Sequence, residues 1–81
     1  MQVAEGMHVE WVDDEAVVLD TESSRLHYLN APAALVYAMI LEYGYAEAVR
    51  RIRELPSETD ISAELPVLLE DMVEKGLLVD A

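Results

Sequence analysis

The sequence predicts an α+β domain in which a three-stranded antiparallel sheet is followed by three helices. Three observations lead there. Between His8 and Leu29, strand-length apolar blocks are separated by short polar turns. At Asn30 the period changes from two to that of a helix and stays helical to Gly76. No linker, repeat or low-complexity segment breaks the chain, and 81 residues leave room for one core, so residues 1–81 read as a single domain.

The first strand is read from His8 to Val12, with apolar positions at two-residue spacing, and Asp13-Asp14-Glu15 is the turn after it. Ala16-Val17-Val18-Leu19 is a short β-branched second strand. Asp20-Thr21-Glu22-Ser23-Ser24 follows as a turn of residues that hydrogen-bond their own backbone. Arg25 to Leu29 is the third strand. Both connections are short, which implies hairpins and a meander with the third strand at one edge. Which parity of its amides faces outward is left open at this level.

Asn30 is a strong helix N-cap, and Pro32 fits a first turn, where a missing N–H costs nothing. The first helix then runs to a stop near Gly44. It is apolar on nearly every side, which predicts a buried central helix. The second helix carries Ala46, Val49 and Ile52 as a narrow stripe, with Glu47, Arg50, Arg51, Arg53 and Glu54 toward water and Pro56 ending it. Glu47 and Arg51 form a favourable i,i+4 pair. After a loop around Ser57, the third helix shows the stripe Ile61, Leu65, Leu68, Leu69, Met72, Val73. Pro66 disfavours helical geometry at Leu65 and clashes with the Ser62 carbonyl. A short turn before Pro66 and the main helix after it is the expected arrangement. Gly76 is the C-cap, and Leu77-Leu78-Val79 a tail folding back on the core.

Composition excludes several functions. Seventeen acidic against five basic residues give a net charge of −12, which disfavours the polyanions nucleic acid and anionic membrane. Residues 57–76 hold Glu58, Asp60, Glu64, Glu70, Asp71 and Glu74 against Lys75 alone, so the last two helices would repel DNA rather than read it. The longest apolar run, Ala33 to Leu41, is about half a bilayer span, and no signal peptide is visible, so a cytoplasmic location is expected. The chain has no cysteine and no glycine-rich phosphate loop. His8 and His27 stand alone on strands, and Asp13-Asp14-Glu15 lacks the spaced ligands of a calcium loop. Neither a cofactor nor a metal is expected, and no catalytic residue is assigned. An acyl-carrier role would need an Asp-Ser-Leu site at a helix start, which is missing.

The stretch Val18-Leu19-Asp20, four residues, Arg25-Leu26-His27-Tyr28-Leu29-Asn30 precedes an apolar helix ending at Gly44. The chain then closes in Leu69, Met72 and Gly76-Leu77-Leu78-Val79. This pattern resembles the PqqD-like family, the precursor-peptide recognition elements of ribosomally made, modified peptide pathways. The resemblance covers about residues 7–79. The free-standing domain of lasso-peptide pathways is a close sub-pattern, but Leu26 stands where its third strand often carries an aromatic residue, so the subfamily stays open. Ser24 occupies a position that is often glycine; serine tolerates left-handed backbone less well, which suggests a different turn type.

The resemblance implies a winged-helix-like fold and a non-enzymatic role. Such a domain binds the leader segment of a precursor peptide and presents it to a separate maturation enzyme, such as a radical enzyme, a leader peptidase or a cyclase. The leader would add as a strand beside the third strand and pack on the last helix. The implied peptide-binding residues are Arg25, Leu26, His27, Tyr28 and Leu29 on the strand, and Leu65, Leu68, Leu69 and Met72 on the helix. One part follows from the residues themselves: an edge strand offers unpaired N–H and C=O groups to an extended peptide. The runner-up is a winged-helix regulatory or structural domain that binds protein rather than peptide.

Overall fold

The computed structural model describes residues 1–55 and 61–80. In chain order it contains β1 (Gln2–Val3), β2 (Met7–Val12), β3 (Glu15–Asp20), β4 (Arg25–Leu29), α1 (Ala31–Tyr43), α2 (Tyr45–Arg53), α3 (Ile61–Glu74) and β5 (Leu78–Val79). The architecture is α+β, with β2, β3 and β4 forming an antiparallel meander in that order. A second, two-stranded sheet pairs β1 with β5, joining Gln2 to Val79 and Val3 to Leu78. The sequence reading has no counterpart for β1 and treats β5 only as an apolar tail.

Turn chemistry fixes the meander. Asp13 and Asp14 connect β2 to β3, and Asp13 takes a φ of 57°, placing a positive φ at the first turn position as in a type II′ hairpin. Between β3 and β4, the Asp20 carboxylate accepts the N–H groups of Glu22 (3.0 Å) and Ser23 (3.3 Å), and the Asp20 carbonyl accepts that of Ser24 (2.7 Å). Ser24 itself adopts φ 62°. The expected change of turn type at Ser24 is therefore corrected: serine takes the left-handed geometry, at a cost of about 1 kcal/mol that the turn's hydrogen bonds offset.

Cross-strand rows set the two faces of the sheet. Trp11, Ala16 and Leu29 form one row, and Val9, Val18 and His27 the next on the same face. Ala16, Val18 and Leu29 are buried, so this face carries the core, and α1 packs on it over β3 and β4. Helix α1 begins as read from sequence: the Asn30 side chain accepts the Ala33 N–H at 3.2 Å, and Pro32 sits in the first turn. Gly44 ends it with φ 85° and donates its N–H to the Ile40 carbonyl. The fully buried central helix is corrected, however. Ala33, Ala34, Val36, Tyr37 and Ile40 are sealed, but Leu35, Leu41 and Tyr43 are 40% or more exposed. Two small sheets and two further helices do not cover every side of this helix.

On α2 the buried stripe is Tyr45, Ala48, Val49 and Ile52, while Ala46 faces water. Val49 and Ile52 are inside as expected, and Ala46 alone is corrected, its place in the stripe being taken by Tyr45 and Ala48. Tyr45 at the helix start completes an i, i+3, i+4, i+7 pattern. The Glu47 carboxylate receives the Arg51 Nε at 3.0 Å and also pairs with Arg50, which reaches Glu54 at 3.0 Å. Pro56 and the loop around Ser57 lie outside the described residues.

Helix α3 corrects the expectation that the main helix follows Pro66. It is a continuous α-helix from Ile61, with Pro66 inside it. An interior proline forfeits one hydrogen bond and crowds the carbonyl four residues back, at about 3 kcal/mol or more. Leu65 and Met72 on the same helix are 1% and 0% exposed, and burial of each contributes about 1.5–3 kcal/mol. The core contacts outweigh the proline, whose ring points to solvent. Gly76, at φ 77°, ends the helix, and Leu77 and Leu78 enter the core.

Candidate functional site

The candidate site is the open edge of β4. Residue pairs along an antiparallel ladder alternate between those that exchange backbone hydrogen bonds and those that do not, and an inner strand turns alternate residues to its two neighbours. Thr21 donates its N–H to the Gly6 carbonyl at 2.9 Å, one step beyond the Met7–Asp20 pair. Counting back, Leu19, Val17 and Glu15 bond toward β2, while Asp20, Val18 and Ala16 bond toward β4. Their β4 partners are Arg25, His27 and Leu29. The N–H and C=O groups of Leu26 and Tyr28 therefore point away from the sheet. Among the described residues no strand pairs with them. The parity left open by the sequence is fixed by one turn hydrogen bond.

Side chains on the two faces of this edge differ. Leu26 and Tyr28 lie on the face away from α1 and are 68% and 57% exposed, together with half-buried Val17 and Leu19. The Glu15 carboxylate, diagonal to Tyr28 across the pair, raises the phenol pKa by accepting from it and by its charge. On the α1 face, His27 is half-buried, and its Nε2 has no hydrogen-bond partner among the described residues. An extended peptide laid along β4 would meet free backbone groups in the plane and the apolar surface of Leu26 and Tyr28 on the outer face, while the unpartnered His27 Nε2 is buried beneath the other face.

The nine residues singled out from the sequence separate into four groups. Leu26 and Tyr28 offer both backbone and side chain. Arg25 and His27 have their backbone committed to β3, and only their side chains are accessible. Leu29, Leu65 and Met72 are core residues at 1%, 1% and 0% exposure, so they support the edge from behind and line no open groove. Leu68 and Leu69 are half-buried and are the members of the α3 stripe that retain surface. The expected groove between β4 and α3 is modified accordingly: α3 packs on α1, α2 and β5, and the helix that both β4 and α3 touch is α1.

Sequence reasoning missed a second concavity. A cleft of about 500 Å³ lies between the β2–β3 hairpin and the first turns of α1. Trp11, Asp14, Leu35, Ala38 and Ile61 are among the residues that line it, and none of the nine expected residues does. The signal was Trp11, a large aromatic at the end of a strand. Among the described residues no group of three or more His, Asp or Glu side chains is placed to hold a metal ion, and no helix is long and apolar enough to cross a membrane.

No protein-family model matches the sequence, and no curated protein sequence matches it. Solved structures do share its fold. One is TbiB1 in complex with the TbiA(beta) leader peptide, at a TM-score of 0.77 and 21% identity, covering 100% of this chain and 98% of that one. Another is lasso peptide synthetase B1 complexed with the leader peptide, at 0.70 and 23% identity, covering 98% and 96%. The three-stranded meander and the three helices are common to the comparison.

Proposed function

We propose that this chain is a PqqD-like leader-recognition domain, which binds the leader segment of a ribosomally made precursor peptide. It is non-catalytic, acts in the cytoplasm and presents the held peptide to a separate maturation enzyme. The observation that carries this reading is the open β4 edge, in a fold whose solved neighbours are complexes with leader peptides. An extended leader adds as a fourth strand of the meander. Its backbone pairs with the N–H and C=O groups of Leu26 and Tyr28, the mode of strand addition at an exposed edge. Each such bond contributes about 0.5–1.5 kcal/mol net. The apolar side chains of Leu26 and Tyr28 then add contacts on the outer face, where alternate leader residues emerge. Leu68 and Leu69 supply apolar surface for residues flanking the added strand.

The test is to search the genes beside this one for a short precursor and to measure fluorescence anisotropy with its labelled leader and core halves. Saturable binding of the leader half alone is expected. Equal binding of both halves, or none of either, would refute the reading.

A further inference from the structure

We propose that the cleft between the β2–β3 hairpin and α1 is a second docking surface, built for a segment of a partner protein that carries an apolar residue beside a Lys or Arg. Naming that partner as the enzyme that processes the bound precursor rests on the leader-binding reading; the chemistry of the surface does not.

The floor is apolar and incompletely covered. Helix α1 lies over β3 and β4, so among the described residues no helix covers the β2 side of the core face at its hairpin end. Trp11 shares that face with buried Ala16 and Leu29 yet is 49% exposed. Leu35, one helical turn before Ala38, is 41% exposed on the facing side of α1, and Ile61 at the start of α3 closes the far wall. A half-buried tryptophan beside an open leucine is the kind of anchor that dominates protein interfaces.

The lip is acidic. Asp13 and Asp14 stand on the hairpin tip, and neither forms an ion pair within the chain. The basic side chains in ion pairs are Arg50 and Arg51, with Glu47 and Glu54, and Lys75, with Asp71. All five Lys and Arg residues of the sequence lie in described segments, so no internal cation is left out of that comparison. An indole face next to two unpaired carboxylates suits a guanidinium or ammonium group, held by cation–π attraction and by charge. The same carboxylates repel nucleic acid. A second copy of this chain, also at −12, is disfavoured by like-charge repulsion.

Position makes simultaneous occupation possible. No β4 residue lines the cleft, and β3 separates β2 from β4, so Trp11 on β2 lies two strand spacings, about 10 Å, from β4, while Ala31 and Pro32 bring the α1 wall close to the strand's end. A partner seated in the cleft leaves the β4 edge free, as handing a held peptide to an enzyme requires.

The experiment identifies a precursor-processing enzyme among the genes beside this one and titrates it, purified, against the parent, Leu35→Glu, Asp14→Lys and the double variant Asp13→Asn/Asp14→Asn. Leader anisotropy and circular dichroism are recorded on each. Leu35→Glu and Asp14→Lys are each expected to weaken enzyme binding at least tenfold while leader binding stays within twofold of the parent. The double variant is expected to lose most of the salt dependence of enzyme binding. If Leu35→Glu unfolds, Asp14→Lys on the exposed turn decides alone. Enzyme binding that is absent in the parent, or equal in parent and variants, overturns the proposal. Enzyme binding that is sensitive to these variants while the leader fails to bind leaves the cleft standing and removes the leader reading instead.

Discussion

Strand β4 and helix α3 were both read as walls of one binding groove, yet they place their apolar residues in opposite ways. In β4 the residues with outward amides, Leu26 and Tyr28, also leave their side chains mostly in water. In α3 the strongest members of the stripe, Leu65 and Met72, are sealed in the core. The difference follows from periodicity. A strand alternates faces, so an edge strand half-buries itself whatever its sequence. A helix with a single stripe must give that stripe to the core before any of it is available to a ligand. Exposure of apolar residues is thus informative on β4, while an apolar stripe on α3 reports stability first.

The sharpest way to break this contrast is to truncate one residue on each side. Met72→Ala is expected to destabilise the domain by about 2–5 kcal/mol, the usual range for emptying a core site. Leu26→Ala should stay within about 0.5 kcal/mol of the parent, since it is 68% exposed. Urea denaturation of both variants measures this. A Leu26→Ala cost as large as that of Met72→Ala would mean that the outer face of β4 is packed in solution, and the distinction would fall.

Proline substitutions sharpen it within β4 itself. His27 sits mid-strand and bonds Val18 through its backbone, so His27→Pro strands an acceptor at about 1–3 kcal/mol and adds a ring clash. Leu26→Pro removes an N–H that points outward and should leave the domain folded. Its expected effect is on the leader, with a loss of about 0.5–1.5 kcal/mol, or roughly two- to tenfold in affinity. Circular dichroism and anisotropy on the two variants separate folding from binding. A folded Leu26→Pro protein that binds the leader like the parent would show that the leader docks elsewhere.

What could be read from the sequence depended on how local its cause was. The hairpin turns, the third strand, the Asn30 cap and the Gly44 stop are each determined within a few residues, and the structure has them. The β1–β5 pairing could not be read, because Gln2–Val3 and Leu78–Val79 are too short to show a period and meet only after the chain has closed. Helix α3 runs through Pro66 because Leu65 and Met72 are held by the core, a tertiary effect that local rules on proline do not contain. The site was half legible. Sequence indicated the strand, but the parity of its amides needed the Thr21–Gly6 hydrogen bond. The Trp11–Leu35 cleft arises from where α1 crosses the sheet, which no spacing along the chain encodes.

The smallest effect concerns the turn that sets the β4 register, and it uses pH. Hydrogen bonding to the Ser23 side chain, with further bonds from the backbone of Ser23 and Glu22, holds the Asp20 pKa below its ordinary 3.8. A carboxylate with a depressed folded pKa contributes stability that is present above the unfolded pKa. That contribution is lost as pH falls through the folded value. The parent should therefore lose stability as the pH drops from about 5 through 3.8 and below. Asp20→Asn, which keeps an acceptor for the turn but does not titrate, should lose less. Asp20 lies at the surface of the turn, so the difference is small and is best read as the narrowing gap between the urea midpoints of parent and variant. Met72→Ala supplies the control from the other region. It removes apolar burial only, so it should lower the midpoint by a similar amount across this pH range. If Asp20→Asn keeps the parent's pH slope, Asp20 is not the group that carries the acid loss. If the double variant Asp20→Asn/Met72→Ala departs from the sum of the single variants by more than about 0.5 kcal/mol, the polar turn of β4 and the apolar stripe of α3 are coupled and have to be treated as one.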